Sequence, residues 1–282
     1  MSSSLSVISN KIRRDAIWSI YEARSGHPGG VLSCIDILTV LFHRVLPSPV
    51  KRNDSYSDDY FILSKGHAVP ALYATAVSVG LLEQAELKTL RKINSRLQGH
   101  PDVNTLPWVE ISTGSLGQGI SFATGIAKAQ KLLNSQQNVF VMLGDGELQE
   151  GQVWEAAMFS SHHKLNNLIA IIDYNKLQSD NTNTNICNLE PLTEKWQAFG
   201  WNVLEVDGHD IQALEKTFNL VKDNPNLKPT VIIAHTVKGK GVSFMENEPL
   251  WHGSSTLTTE QLTYSLEDLG CDKNKIEEYL NV

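Results

Sequence analysis

Short apolar runs alternate with helix-patterned stretches through most of this chain, and no other feature constrains its fold so tightly. The runs at 60–63, 139–143, 168–172, 203–206 and 231–234 have the length of strands, and their largely apolar character suits a parallel sheet buried on both faces. Stretches 117–133, 152–163 and 211–221 carry helical spacing between them. Ahead of these, Leu5, Ile8, Ile12, Ala16 and Ile20 recur three and four residues apart, on one face of an opening helix. The pattern predicts an α/β fold: an open, mostly parallel sheet with helices on both faces. Ligands of such sheets sit beyond the carboxyl ends of the strands, so chemistry is expected in the residues that follow each apolar run. Residues 179–185 read as a polar surface loop, and 259–280 as a polar, helix-like ending. With no internal repeat or low-complexity tract, 1–282 is taken as one domain.

Charge narrows the function. Lys and Arg number 24 against 31 Asp and Glu, a net charge of -7, which argues against a broad electrostatic surface for nucleic acid. Any phosphate must therefore be held by local geometry. Cys34, Cys187 and Cys271 lie far apart with no Cys-x-x-Cys spacing, so neither a disulfide framework nor a zinc site is expected. The first fifteen residues carry no apolar leader, and no later stretch is apolar enough to span a bilayer. A cytoplasmic protein without a membrane partner is the expectation.

The strongest constellation lies where the 139–143 run enters Gly144-Asp145-Gly146. Two glycines let backbone approach a phosphate, and the helix that follows adds a favourable dipole. Asp145 between them is placed to hold a cation. The next strand delivers Asn175 within Asp173-Tyr174-Asn175-Lys176-Leu177 to the same sheet edge, so two oxygen ligands converge. Magnesium shares its six oxygens among carboxylate, carbonyl, water and substrate phosphate, which suits this pair beside a diphosphate.

Histidine is the side chain that most readily exchanges protons near neutral pH. His27, His67, His100 and His252 are each flanked by Gly or Pro and so sit in shaped loops, where a site role is expected. His43, His162, His163, His209 and His235 lack that setting and are read as structural or solvent-facing.

Gly144-Asp145-Gly146-Glu147-Leu148-Gln149-Glu150-Gly151 followed by Asp173-Tyr174-Asn175 is similar to the thiamine-diphosphate motif in the form found in transketolases. The resemblance extends to Ser25-Gly26-His27-Pro28-Gly29, Ser64-Lys65-Gly66-His67-Ala68, Gly99-His100-Pro101, Thr113-Gly114-Ser115-Leu116-Gly117-Gln118-Gly119 and Trp251-His252-Gly253. It covers nearly the whole chain, in the family's order. The resemblance implies thiamine diphosphate with Mg²⁺ (or Ca²⁺ or Mn²⁺), the metal held by Asp145, Asn175 and the carbonyl of Leu177. It further implies cofactor contacts from Gly114, Ser115, Leu116, Gly144, Gly146 and Glu147, with His67 and His252 near diphosphate and substrate. His27 and His100 would face the sugar, and Glu150 would join a carboxylate network at a subunit interface.

The implied activity is transfer of a two-carbon ketol unit from a ketose or its phosphate to an aldose. Two departures stand out. Ser115 occupies a position where many full-length transketolases have Pro, and Lys238-Gly239-Lys240-Gly241-Val242 differs from some family branches; basic residues there could touch the diphosphate or substrate, but a solvated charged turn is the preferred reading. Residues 251–282 leave no room for the pyrimidine-binding and C-terminal domains of a full-length transketolase, so either the glutamate that activates the cofactor lies on a separate C-terminal subunit, in a two-fold α2β2 assembly, or the chain is a fragment; the helix-like ending favours the separate subunit as the expectation. The alternatives are a subunit of a deoxyxylulose-phosphate synthase-like or 2-keto acid decarboxylating enzyme, and a cofactor-binding subunit without activity of its own.

Overall fold

The computed structural model describes residues 4–46, 59–222, 227–253 and 256–281. Five strands, β1 (Tyr60–Leu63), β2 (Val139–Gly144), β3 (Leu168–Tyr174), β4 (Asn202–Asp207) and β5 (Thr230–His235), form one parallel sheet in the order β1-β2-β3-β5-β4. Each strand lies within two residues of the run read from sequence. Register pairs Gly144 with Asp173 and Tyr174 with His235, so β2, β3 and β5 deliver their following residues to one edge.

The α-helices are α1 (Leu5–Ala23), α2 (Pro28–Ser33), α3 (Ile35–Val40), α4 (Val69–Ser78), α5 (Gln118–Leu132), α6 (Gly151–His162), α7 (Asn183–Ile186), α8 (Leu192–Ala198), α9 (Ile211–Lys222), α10 (Thr259–Asp268) and α11 (Lys273–Asn281). Alternation along the strands divides them between two cores. Phe140, Met142, Ile169, Ile171 and Ile232 face α1, α3, α4 and α9, whereas Val141, Leu143, Ala170, Ile172 and Ile233 face α5, α6 and α8. Each such side chain contributes about 1.5–3 kcal/mol when fully buried, which is why both faces must be covered.

Two expectations need correction. Residues 179–185 are not only a surface loop: the Thr182 hydroxyl accepts from the Asn185 N–H and caps α7, and Asn183 is buried. The segment 259–280 is two helices, α10 opened by a Thr258–Gln261 capping box and parted from α11 after Gly270, whose φ is 80°.

Candidate functional site

The β2 exit is tied to itself and to its neighbour. The carboxylate of Asp145 accepts the Gly146 N–H at 2.8 Å on one oxygen and the Lys176 N–H at 2.5 Å on the other. Asn175, one strand over, accepts the Leu177 N–H at 3.1 Å. Asp145 is 2% exposed, and burial, followed by the charge of Asp173, pushes its carboxyl up to about 6. It forms no salt bridge among the described residues. A desolvated carboxylate beside an amide oxygen and a backbone carbonyl is an all-oxygen donor set, the chemistry that fits a hard divalent ion. Among the described residues no three His, Cys, Asp or Glu gather for a metal, so the amide oxygen of Asn175 and the Leu177 carbonyl would have to complete any set that Asp145 begins.

Asp173 holds the edge together. Wholly buried, it accepts from Lys65 Nζ at 2.5 Å, Ser33 Oγ at 2.6 Å, Thr236 Oγ1 at 2.5 Å and Asn175 Nδ2 at 3.3 Å. It thereby joins α2, the β1 exit, the β3 exit and the β5 exit. Burial raises its carboxyl, but Lys65 outweighs that and holds it below the usual range. Lys65 spans onward to the Gly30 carbonyl at 2.8 Å.

Opposite this edge stand three imidazoles. His27 lies just before α2, His67 follows β1, and His252 closes the turn after Pro249–Trp251. Their ring centroids are 5.1, 5.6 and 5.9 Å apart. Burial lowers His27 to about 4, with Arg91, His100 and Lys238 adding to it; burial and then Lys238 lower His252 to about 3. His67 is lowered too, first by burial and then by Lys65. At neutral pH all three are uncharged and can each give or accept a hydrogen bond.

Lys238 overturns the reading of its segment as a solvated turn. It is 1% exposed, and its ammonium donates to the Gln178 carbonyl at 2.8 Å, the Leu177 carbonyl at 3.3 Å and His252 Nδ1 at 2.7 Å. Burial pushes it down to about 8. Gly239 and Gly241 both have positive φ, 80° and 92°, and the Gly239 N–H donates to the Gly29 carbonyl at 3.0 Å, so the turn folds inward.

These groups wall a pocket of ≈ 260 Å³. Of the residues expected in the site, its wall contains His27, His67, His252, Gly114, Leu116, Gly144, Asp145, Gly146, Glu147, Asn175 and Leu177; it also takes in Lys65, Lys238 and Gln178. His100 stands outside the wall with its ring against the backbone of Gly114, whose φ of 153° suits glycine. Ser115 and Glu150 are exposed and also outside it. Glu147 is buried with its carboxylate occupied, accepting from Ser64 Oγ at 2.5 Å, the Gly117 N–H at 2.9 Å and the Gly144 N–H at 3.0 Å. It braces the β2 turn against the 113–119 loop. Sequence reading gives Lys65 no role and ranks a site role for Lys238 second to a solvated turn, because the burial of both depends on tertiary partners.

The pocket thus brings oxygen donors suited to a cation together with an ammonium and neutral imidazoles that can meet an anion or a hydroxylated ligand. The chain is 38% identical over 277 residues to one subunit of the apulose-4-phosphate transketolase of Phocaeicola vulgatus, covering 98% of each chain. It is 41% identical over 245 residues to human transketolase, 86% of this chain but only 38% of that protein. Among solved structures, the transketolase of Leishmania mexicana superposes with a TM-score of 0.88 at 28% identity, over all of this chain and 44% of that one. The Campylobacter jejuni transketolase gives 0.86 at 33% identity, over 99% and 46%. The family profile described as "Transketolase, thiamine diphosphate binding domain" matches residues 5–279, and the chain belongs to that family.

Proposed function

We propose that this chain is the cofactor-binding subunit of a two-chain transketolase, moving a two-carbon ketol unit from a ketose to an aldose with thiamine diphosphate and a divalent cation. The observation that carries the reading is what one pocket gathers: the buried carboxylate of Asp145 with Asn175 and the Leu177 carbonyl, and beside them the Lys238 ammonium and three neutral imidazoles. Thiamine diphosphate, when bound, supplies a carbon nucleophile and an electron sink for carbon–carbon cleavage. The oxygen wall would hold the cation that bridges to the diphosphate, and Lys238 would meet the remaining negative charge. His27, His67 and His252, uncharged and close together, would hydrogen-bond sugar oxygens and carry protons to and from hydroxyl and carbonyl. His100, behind Gly114, would flank the sugar entrance. Glu150, exposed at the start of α6, is available to a partner chain.

The remainder of the active site, including the glutamate that activates the cofactor, would come from a C-terminal subunit in an α2β2 assembly. The Phocaeicola relative, itself named as one subunit of a transketolase and matched nearly end to end, supports a two-chain enzyme, and its name makes apulose 4-phosphate the first substrate to try. Three free cysteines suit a cytoplasmic location, and no helix among the described residues is long and apolar enough to cross a membrane.

The test is co-expression with the C-terminal thiamine-enzyme subunit encoded beside it, then assay of two-carbon transfer from apulose 4-phosphate and xylulose 5-phosphate with Mg²⁺ and thiamine diphosphate. Transfer by the mixture and by neither chain alone is the expected result. Deoxyxylulose phosphate or a decarboxylation product would overturn the ketol-transfer reading, and tight assembly with cofactor bound but no transfer would favour a binding-only subunit.

A further inference from the structure

Lys238 reaches the pocket from the short loop that leaves β5, and that loop is fastened on both sides. Toward β3, the Thr236 hydroxyl donates to Asp173 at 2.5 Å and the Thr236 N–H to the Tyr174 carbonyl at 3.2 Å. Toward β4, strand pairing has ended at Asp207–His235, so the next loop amide, Val237 N–H, has no strand carbonyl to meet. It donates instead to Nε2 of His209, at 2.8 Å. A backbone N–H can only donate, so Nε2 carries the lone pair and the ring proton sits on Nδ1. Nδ1 lies 2.8 Å from Asp36 Oδ2, and the proton is donated there.

Asp36 is a rigid anchor. It is 5% exposed on α3, accepts both terminal nitrogens of Arg13 at 2.5 and 3.1 Å, and accepts the hydroxyl of Ser9. Burial raises its carboxyl, but the His209 and Arg13 bonds outweigh that and hold it below the usual carboxylate range. The turn carrying His209 is pressed onto the loop. A side chain at Gly208 would meet the Thr236 methyl at 2.4 Å, and the Gly208 N–H donates to the His235 carbonyl at 2.8 Å. The imidazole therefore spans a fixed carboxylate on α3 and the amide one residue before Lys238.

We propose that His209 is a positioning residue for the pocket: it bridges Asp36 to the Val237 amide and so holds Lys238 where it meets the cofactor's diphosphate. The inference rests on the reading of Lys238 as the cationic diphosphate contact. Without the imidazole, the Val237 N–H loses its acceptor and the loop can turn to find another. Lys238 would then leave its contacts with the Gln178 carbonyl and His252, which fix its ammonium in the wall.

The experiment is calorimetric titration of thiamine diphosphate, in saturating Mg²⁺, into the chain assembled with its partner subunit, with melting temperature measured on each variant. His209→Leu should weaken binding about tenfold, the scale of one lost well-placed hydrogen bond. Lys238→Met should weaken it at least as much, and the double variant no further than Lys238→Met alone, because both act through one ammonium. His209→Gln, whose amide again offers one donor and one acceptor, should bind within about twofold of the parent. His209→Asn reaches Asp36 but is too short for Val237, so it should bind as weakly as the Leu variant while melting near the parent. Additive losses in the double variant, or a Leu variant that melts early yet binds normally, would overturn the proposal. Unchanged binding in Lys238→Met alone would instead sink the diphosphate-contact reading, and this inference with it.

Discussion

The two walls of the pocket solve opposite electrostatic problems. The β2–β3 wall presents Asp145, a buried carboxylate pushed up to about 6 with Asp173 beside it. Beside it come Lys238, pushed down to about 8 with its ammonium on the Leu177 and Gln178 carbonyls, and imidazoles lowered to about 4 and about 3. Burial has made Asp145, Lys238 and the imidazoles alike reluctant to hold charge, and Asp145 makes no direct ion pair among the described residues. The contrast teaches that the site is built to be completed by a ligand with both signs, a cation bound to an anion.

The largest effect expected from breaking this contrast is at Asp145. Asp145→Ala should lower two-carbon transfer by the assembled enzyme on the order of 10³-fold, the scale of losing a Lewis-acid anchor, read as initial rate at saturating Mg²⁺. A companion measurement sharpens it. A carboxyl raised in the folded state contributes stability that is present below its unfolded value and lost as pH rises through about 6. Asp145→Asn should therefore stabilise the cofactor-free chain by about 1–3 kcal/mol at pH 7.5 and by little at pH 4, measured by urea unfolding without metal. A chain that loses stability at neutral pH on this change would show that Asp145 is already compensated, and the two walls would not differ as described.

Asp173 tests the frame behind both walls. Asp173→Asn leaves Lys65 buried without its partner, and breaking such a pair costs about 3–5 kcal/mol. The expected result is a marked loss of stability at pH 7.5, partly restored by adding Lys65→Met, since paired removal of both charges escapes the unpaired penalty. Glu147→Gln is the next step down. The oxygen now accepting from the Gly144 N–H would be replaced by an amide NH2, at about 1–3 kcal/mol, which loosens the β2 turn from the brace that ties it to the 113–119 loop. Retention of full stability would mean the loop holds itself against β2.

How much of the site is legible in the sequence follows from where each group's environment is written. Asp145 and Asn175 directly follow apolar runs, and a parallel sheet brings strand exits together, so sequence order alone puts them side by side. The three imidazoles are legible as loop residues flanked by Gly or Pro, though their packing into a triangle is not. Lys238 reads as solvated because Lys-Gly-Lys-Gly is a turn composition; its burial depends on a hydrogen bond from Gly239 to Gly29 near the other end of the chain. His209 escapes notice for the same reason, since its partners lie on α3 and after β5. Short-range chemistry is readable; contacts between distant segments are not. The 179–185 stretch fails differently: Asn and Thr suit both loops and helix caps, and Thr182 takes the cap.

The smallest expected effect probes the imidazole wall by itself. A histidine whose folded value lies below its unfolded value of about 6.5 favours the folded chain only while both states are neutral. As pH falls below about 6.5 the unfolded chain takes up protons first, so stability is lost from there down to the folded values, about 4 for His27 and about 3 for His252. The imidazoles' own contribution should thus be flat between pH 7 and 8 and fall steadily below 6.5. His252→Asn removes one titrating ring and should recover about 1 kcal/mol at pH 5.5 relative to its own value at pH 7.5, after allowance for partial exposure of the ring. Urea midpoints of parent and variant across this range give the comparison. Parallel curves would mean that the neutral imidazoles impose no cost on the fold, and the electropositive wall would then be a feature of Lys238 alone.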